Sequence, residues 1–234
     1  MRRYLSGLRR PLVNLESIYR DGELDLIVYE RIADTIIEGA LKHKRVSFIV
    51  PGHPLMYVSP TERILEKAKR LRLSTSVLPG ISSLDTMVLQ LNLDIADCGV
   101  QAFECNRFIY FGIEPDPRVP LFLFQPGGIG TGVLTREHHS RPRRFQELLR
   151  ALRKTYPANH QCCLLTSQHQ FDQPGRAHWF ALGRLCSKAA RIDYNVTLYV
   201  PPNQEFRVER FGFVSKLYDR RHANKLVGGK VSWA

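Results

Sequence analysis

Along residues 24–43, apolar side chains recur every three to four positions. Val28, Ile32, Ile36 and Ala40 form one stripe with Ile37 and Leu41 beside it, while Glu30, Arg31, Asp34 and Glu38 fall largely on other faces. That period predicts an amphipathic helix, and Lys42, His43 and Lys44 suit the negative end of its dipole. The pattern then changes. Arg45–Val50 is a short β-branched apolar run of the kind found in buried parallel strands, and Pro51-Gly52-His53-Pro54 breaks it. A second helix is predicted to about Leu71, with Ser59 as N-cap, Pro60 at its first position and Glu62 closing a capping box. Ser74–Leu78 reads as a second short strand and Pro79-Gly80 as a second break. Ser82 with Asp85 then signs a third helix whose Met87, Val88 and Leu91 face inward.

The first hundred residues thus alternate helix, strand and turn, which argues for a parallel sheet with crossover helices. Ligands of such sheets bind beyond the carboxyl ends of the strands, where both Gly-Pro turns fall. The Pro-rich stretch 114–120 marks a boundary. Beyond it, a strand at 121–124, a helix at 143–155, and strands at 161–166 and 196–200 predict a second α/β domain. The expected organisation is an N-terminal α/β domain over 1–113 with an incomplete parallel sheet, a C-terminal α/β domain over 119–205, and a basic tail over 206–234 holding one helix.

Composition changes this picture little. Hydrophobic residues make up 44% and charged residues 24% of the 234, as in an ordinary globular protein. The longest apolar runs, such as 119–124, are strand-sized, so no membrane span is predicted. The basic start lacks the apolar stretch of a secretory signal, which points to the cytoplasm. Five irregularly spaced cysteines suit a reducing compartment, and Cys162-Cys163, inside an apolar run, reads as core. The net charge of +12 favours an acidic partner or substrate. Much of it lies at the ends (Arg2, Arg3, Arg9, Arg10, Arg220, Arg221, Lys225, Lys230) and in Arg141-Pro142-Arg143-Arg144. No RNP, KH or C2H2 pattern accompanies it, so it reads as solvated tails and nucleic acid is not an expected partner.

Several motifs dissolve on inspection. Gly127-Gly-Ile-Gly-Thr-Gly132 follows a strand, but Val133-Leu134 stand where a phosphate loop needs Lys-Ser/Thr, and no helix opens there. It is expected to be a flexible turn. The eight histidines, including His138, His139, His160, His169 and His178, hold no HExxH spacing, so no metal site is expected. No GxSxG signals a serine hydrolase.

The informative constellation has two parts. Val50-Pro-Gly-His-Pro-Leu-Met-Tyr-Val-Ser-Pro60 and Leu78-Pro-Gly-Ile-Ser-Ser-Leu-Asp85 each join a strand end to a capped helix, one βα unit apart. Here the chain resembles the tetrapyrrole (corrin/porphyrin) methylase family, nearest its borosin-type peptide N-methyltransferase branch. Gln101–Glu104, Leu121–Gln125 and Val196–Pro202 continue the likeness, which covers about residues 12–202. The resemblance implies two α/β domains with a cleft for S-adenosylmethionine (SAM) between them, and a homodimer. It places Gly52, His53, Leu55, Met56 and Tyr57 against the methionine part of SAM and Ser82 and Ser83 beside it. Phe124, Gln125, Val196 and Thr197 would close over the adenosine. Glycine lets backbone approach a ligand, and an aromatic ring suits a sulfonium; Tyr57 is equally compatible with ordinary packing. The same branch has a Tyr-x5-Arg-x3-Tyr pattern that handles an amide nucleophile. This chain offers Tyr19 and Tyr29, with Asp25 where the arginine belongs; the two tyrosines read either as proton-handling groups or as surface residues. The family's opening strand, Gly-rich turn and helix have no counterpart here, which reads as an N-terminal truncation. The expected function is SAM-dependent methyl transfer to a peptide or a tetrapyrrole-like small molecule. The alternative is a non-catalytic relative that dimerises or binds an anionic partner.

Overall fold

Leu121-Phe-Leu-Phe124 is apolar at every position, so a strand formed here must bury both of its faces. In a computed structural model that describes residues 7, 11–133, 141–168, 174–206 and 211–228, all four are buried. They form β2 (Leu121–Phe124), in a five-stranded mixed sheet with β1 (Gln101–Glu104), β3 (Gln161–Thr166), β4 (Arg176–Ala181) and β5 (Val196–Val200). The strand order is β1-β2-β5-β3-β4. β1 is parallel to β2, with Gln101 opposite Leu121, and the other pairs are antiparallel, with Leu123 opposite Leu198 and Thr166 opposite Val196. One sheet therefore spans the Pro-rich stretch 114–120.

The period of two sorts the side chains into two cores. Leu121, Leu123, Cys162, Leu164, Leu198 and Val200 face one way, against Phe108, Phe145, Leu148 and Leu152. Phe122, Phe124, Cys163, Leu165 and Tyr199 face the other, against Met87, with Met56 and Tyr57 packed alongside. Cys162 and Cys163 are core residues, as their apolar setting implied.

The helices are α1 (Asp25–Lys42), α2 (Ser59–Arg70), α3 (Ser83–Leu91), α4 (Ile95–Cys98), α5 (Cys105–Tyr110), α6 (Gln146–Leu152), α7 (Phe211–Leu217) and α8 (Arg220–Val227). α1 and α2 pack through Ala33, Ile37, Ile64 and Ala68. Across their outer side Arg63 pairs with Glu30 at 2.7 Å, and Lys67 pairs with Glu30 and Asp34 at 2.5 Å. Those offsets make the two helices parallel. Ser82 and Asp85 form a complete capping box on α3. Ser59 does not cap α2: its backbone is already helical, Val58 holds the cap position, and no side-chain cap bond forms. Pro60 stays in the first turn, where its missing N–H costs nothing.

Three expectations are corrected. The stretches 45–50 and 74–78 are not buried strands, because neither enters a ladder. Phe48 of the first stretch, and Leu73 just ahead of the second, pack against the core between α1 and α2, while Ile49, Val77 and Leu78 stay exposed. The Gly127–Gly132 segment is not a flexible turn. Pro126–Gly128 is a buried 3₁₀ turn; Asn106 donates to Gly128 O and accepts from Gly130 N, and Arg144 donates to Gly127 O and Ile129 O. The tail folds as two short helices, α7 and α8, in place of one. β4 and the run of 3₁₀ turns at Leu182–Arg191 were not foreseen. His138, His139, His169, Arg2, Arg3, Arg9, Arg10 and Lys230 lie outside the described residues. Among the described residues no helix is long and apolar enough to cross a membrane, and no group of three potential metal ligands occurs.

Candidate active site

The two Gly-Pro corners lie side by side. A Cβ added at Gly80 would sit 2.6 Å from Gly52 O, closer than real side chains come to backbone. Gly52 itself has φ of 85°, a conformation glycine adopts at no steric cost. His53 follows at the corner; its Nδ1 accepts from Leu55 N at 3.2 Å, and its carbonyl accepts from Met56 N.

Tyr57 then turns into the left-handed region, φ 56°, which is rare for an aromatic residue and held only when neighbours determine it. The neighbour is Phe124 of β2. The two rings stack with centroids 4.4 Å apart and planes at 26°, so the segment after the first corner is locked onto the sheet. Between them opens a groove of about 460 Å³, lined in part by Leu55, Met56, Tyr57, Glu104, Arg107 and Gln125. Gln125 also has a positive φ, 54°.

Electrostatics define a second feature. The Tyr57 phenol is pushed up to about 12 by burial, helped by Glu104 and Cys105. The Tyr29 phenol on α1 is also pushed up to about 12, by burial first and then by Asp25, Tyr19, Tyr194 and Glu104. Burial raises Tyr19 too. Glu104 therefore acts on both Tyr57 and Tyr29, and the groove and the start of α1 share one field. At neutral pH these phenols are hydrogen-bond donors. The start of α1 is tied down as well: Asp25 N donates to Gly132 O at 2.8 Å, and the Tyr194 hydroxyl donates to Val133 O at 3.1 Å.

Other expected site residues lie elsewhere. Ser82 is spent on its cap, with its hydroxyl 2.6 Å from Asp85 Oδ2, and those bonds hold the Asp85 carboxyl below its usual range, with His53 adding to the effect. Ser83 follows in the first turn of α3. Val196 and Thr197 are buried in β5, beside β2, and do not line the groove. Glu104, Arg107 and Tyr194 were missed. Glu104 ends β1 and caps α5, and a carboxylate at a strand's C-terminal end was a readable signal.

The model of the Tetrapyrrole (Corrin/Porphyrin) Methylases matches residues 6–168. The chain belongs to this family. As a tetrapyrrole methylase it is similar, at 26% identity over 225 residues, to a methyltransferase/ribosomally synthesized type II borosin cyclic peptide precursor of Phlebiopsis gigantea (strain 11061_1 CR5-6), covering 95% of this chain and 37% of that protein. It is 24% identical over 192 residues to the dendrothelin A precursor methyltransferase of Dendrothele bispora (strain CBS 962.96), covering 81% and 46%. The chain thus spans less than half the length of these curated relatives. Its fold is shared with the methyltransferase CobJ (TM-score 0.50, 14% identity, 81% of this chain and 76% of that one). The uroporphyrin-III C-methyltransferase of Thermus thermophilus, crystallised with S-adenosylhomocysteine, shares it too (TM-score 0.50, 19% identity, 74% and 72%).

Proposed function

We propose that this tetrapyrrole methylase binds SAM in the Tyr57–Gln125 groove and transfers its methyl group to an acceptor held near Tyr29. The observation that carries the reading is the groove that residues of 55–62, held onto the sheet by the stacking of Tyr57 on Phe124, form with residues of 102–107 and Gln125; Gly52, His53 and Gly80 are not in its lining. The lining suits the ligand. Glu62, Glu104 and the Tyr57 ring offer partners for a sulfonium and an ammonium, Arg107 offers one for a carboxylate, and Leu55, Met56, Ala102 and Phe103 give apolar wall. The volume is in the range of small-molecule sites.

When bound, SAM supplies an electrophilic methyl group on sulfur. The chain's own part is positioning and proton management. The Tyr29 phenol, protonated at neutral pH, donates a hydrogen bond to the acceptor and orients it, with Tyr19 alongside. The Asp25 and Glu104 carboxylates are the groups there that take up the acceptor's proton. The relatives named as cyclic peptide precursors favour a peptide acceptor over a tetrapyrrole-like one. A homodimer and a cytoplasmic location complete the reading.

The test is calorimetric titration with S-adenosylhomocysteine, followed by transfer of labelled methyl from SAM to added peptide. Binding in the wild type that falls about tenfold in Arg107→Ala, the loss of about one charged hydrogen bond, supports the proposal. A folded chain that takes up no S-adenosylhomocysteine sinks it and leaves the non-catalytic reading.

A further inference from the structure

Fixed charge at the start of α1 has one sign, and that sign selects a methyl acceptor. Asp25 is half-buried and is anchored by its own amide, which donates to Gly132 O at 2.8 Å. Its Oδ1 accepts from Leu26 N at 2.6 Å, and among the described residues no hydrogen bond or ion pair reaches Oδ2. Glu104 is tied to the same segment from the groove side. Its oxygens hold the amides of Asn106 and Arg107, and the Asn106 side chain in turn holds Gly128 O and Gly130 N.

The cations nearby are engaged elsewhere. Glu23 takes Arg31 at 2.8 Å and Arg20 at 3.8 Å. Arg144 donates to Gly127 O and Ile129 O. Arg107 lies 5.9 Å from the centre of the Phe111 ring and faces the groove. Among the described residues neither Asp25 nor Glu104 has an ion pair. The groups whose charge acts on the Tyr29 phenol, Asp25, Tyr19, Tyr194 and Glu104, are all acidic and push it the same way. Around Asp25 the surface is apolar: Leu24, Leu26 and Ile27 are about half exposed.

Two kinds of nitrogen make opposite demands on such a place. An amide must surrender its proton as it attacks, so negative charge builds on the acceptor and carboxylates beside it raise the barrier. An amine arrives as an ammonium, which carboxylates and phenol faces attract. Positive charge returns to its nitrogen as the methyl group arrives, so the same field favours the transition state.

We propose that the methyl acceptor is a primary amine, the free N-terminus of an apolar peptide, received by Asp25 with Leu24, Leu26 and Ile27 beneath the residues that follow it. This rests on the reading of the groove given above. The Asp25 carboxylate takes one proton from the ammonium. The freed lone pair forms the N–C bond as the C–S bond breaks, and the electrons of that bond stay on sulfur. The products are a secondary ammonium, which now carries the charge, and neutral S-adenosylhomocysteine; the proton on Asp25 passes to water. Glu104, its oxygens occupied by α5, supplies charge alone.

The experiment uses the full chain loaded with S-adenosylhomocysteine and two peptides, Val-Ile-Gly-Val-Ile-Gly and its N-acetyl form. In titration calorimetry the free amine should bind about tenfold more tightly, a gap that narrows at high salt. Asp25→Asn should remove the gap with affinity for S-adenosylhomocysteine unchanged, and Asp25→Glu should keep part of it. With SAM, mass spectrometry should place the labelled methyl on the α-nitrogen of the free peptide and none on the acetylated one. Equal affinity for the two peptides, methyl on the backbone amides of the acetylated peptide, or uptake of S-adenosylhomocysteine with transfer to neither would each overturn the amine acceptor and leave the groove standing. A folded chain that takes up no S-adenosylhomocysteine ends the groove reading, and the amine acceptor with it.

Discussion

Replacing Gly80 with alanine probes the contact between the two corners, the first of which leads directly into the groove-lining residues from Leu55. The new Cβ would sit 2.6 Å from Gly52 O and 3.3 Å from Gly52 C, against backbone that cannot rotate away as a side chain could. To restore an ordinary contact the two corners must part by most of an ångström. Overpacking of this kind costs about 1–3 kcal/mol. For a chain of this size, each kcal/mol lowers Tm by about 2–4 °C, so a drop of about 2–12 °C is expected. The displacement falls on His53 and on the segment carrying Leu55, Met56 and Tyr57, so affinity for S-adenosylhomocysteine should fall by about fivefold to 150-fold if binding has to draw the corners back. The assay is differential scanning calorimetry beside titration calorimetry. Gly212→Ala is the control: it is an exposed glycine in α7 with nothing within 4 Å of its added Cβ, and it should leave affinity unchanged. Equal Tm and equal affinity in Gly80→Ala would refute the side-by-side arrangement.

Other outcomes follow from single contacts. Ser82→Ala should cost about 1 kcal/mol by opening the capping box of α3, measured by urea denaturation. Its pH dependence has a definite sign. The folded Asp85 carboxyl is held below the ordinary range by Ser82, so its contribution is fully present above the ordinary range and is lost as pH falls from there through the lowered folded value; Ser82→Ala should flatten this acid limb. Alkaline titration followed by tyrosinate absorbance should show Tyr29, Tyr57 and Tyr199, each pushed up to about 12, ionising only in a late phase near that pH. Their neutral forms favour the fold, so the stability they contribute fades as pH climbs from the ordinary phenol range toward 12; a single transition at the ordinary value would contradict the burial described. Arg144→Met should lower Tm by several degrees. It leaves the carbonyls of Gly127 and Ile129 without their donor, a loss of about 1–3 kcal/mol.

The sequence announced some of this architecture and concealed the rest, for identifiable reasons. α1 was legible because its stripe of Val28, Ile32 and Ile36 is periodic, and α3 because Ser82 and Asp85 sign its start with side chains that can only cap. β2 was legible because four consecutive apolar residues leave no polar face. β4 was not, since Arg176-Ala-His-Trp-Phe-Ala181 lies half in solvent and shows no clean alternation. The stretches 45–50 and 74–78 misled because apolar, β-branched composition reports a preference for extension, while pairing depends on what lies beside them. The groove was half visible: Leu55, Met56, Tyr57 and Gln125 come from the corners and strand ends, where motif and topology agree. Glu104 and Arg107 enter it only through the pairing of β1 with β2, a tertiary fact.

Glu104 carries two duties with one carboxylate. Its oxygens hold the first amides of α5, at Asn106 and Arg107, and its charge reaches the phenols of Tyr29 and Tyr57. Selection therefore cannot adjust the acidity of this corner freely, because any neutral substitute that eases the phenols also loosens the helix beginning there. Glutamine keeps one acceptor and surrenders the charge; a shorter aspartate keeps the charge and changes the reach. Drift at this position is penalised twice, so its chemistry is tethered to its architecture.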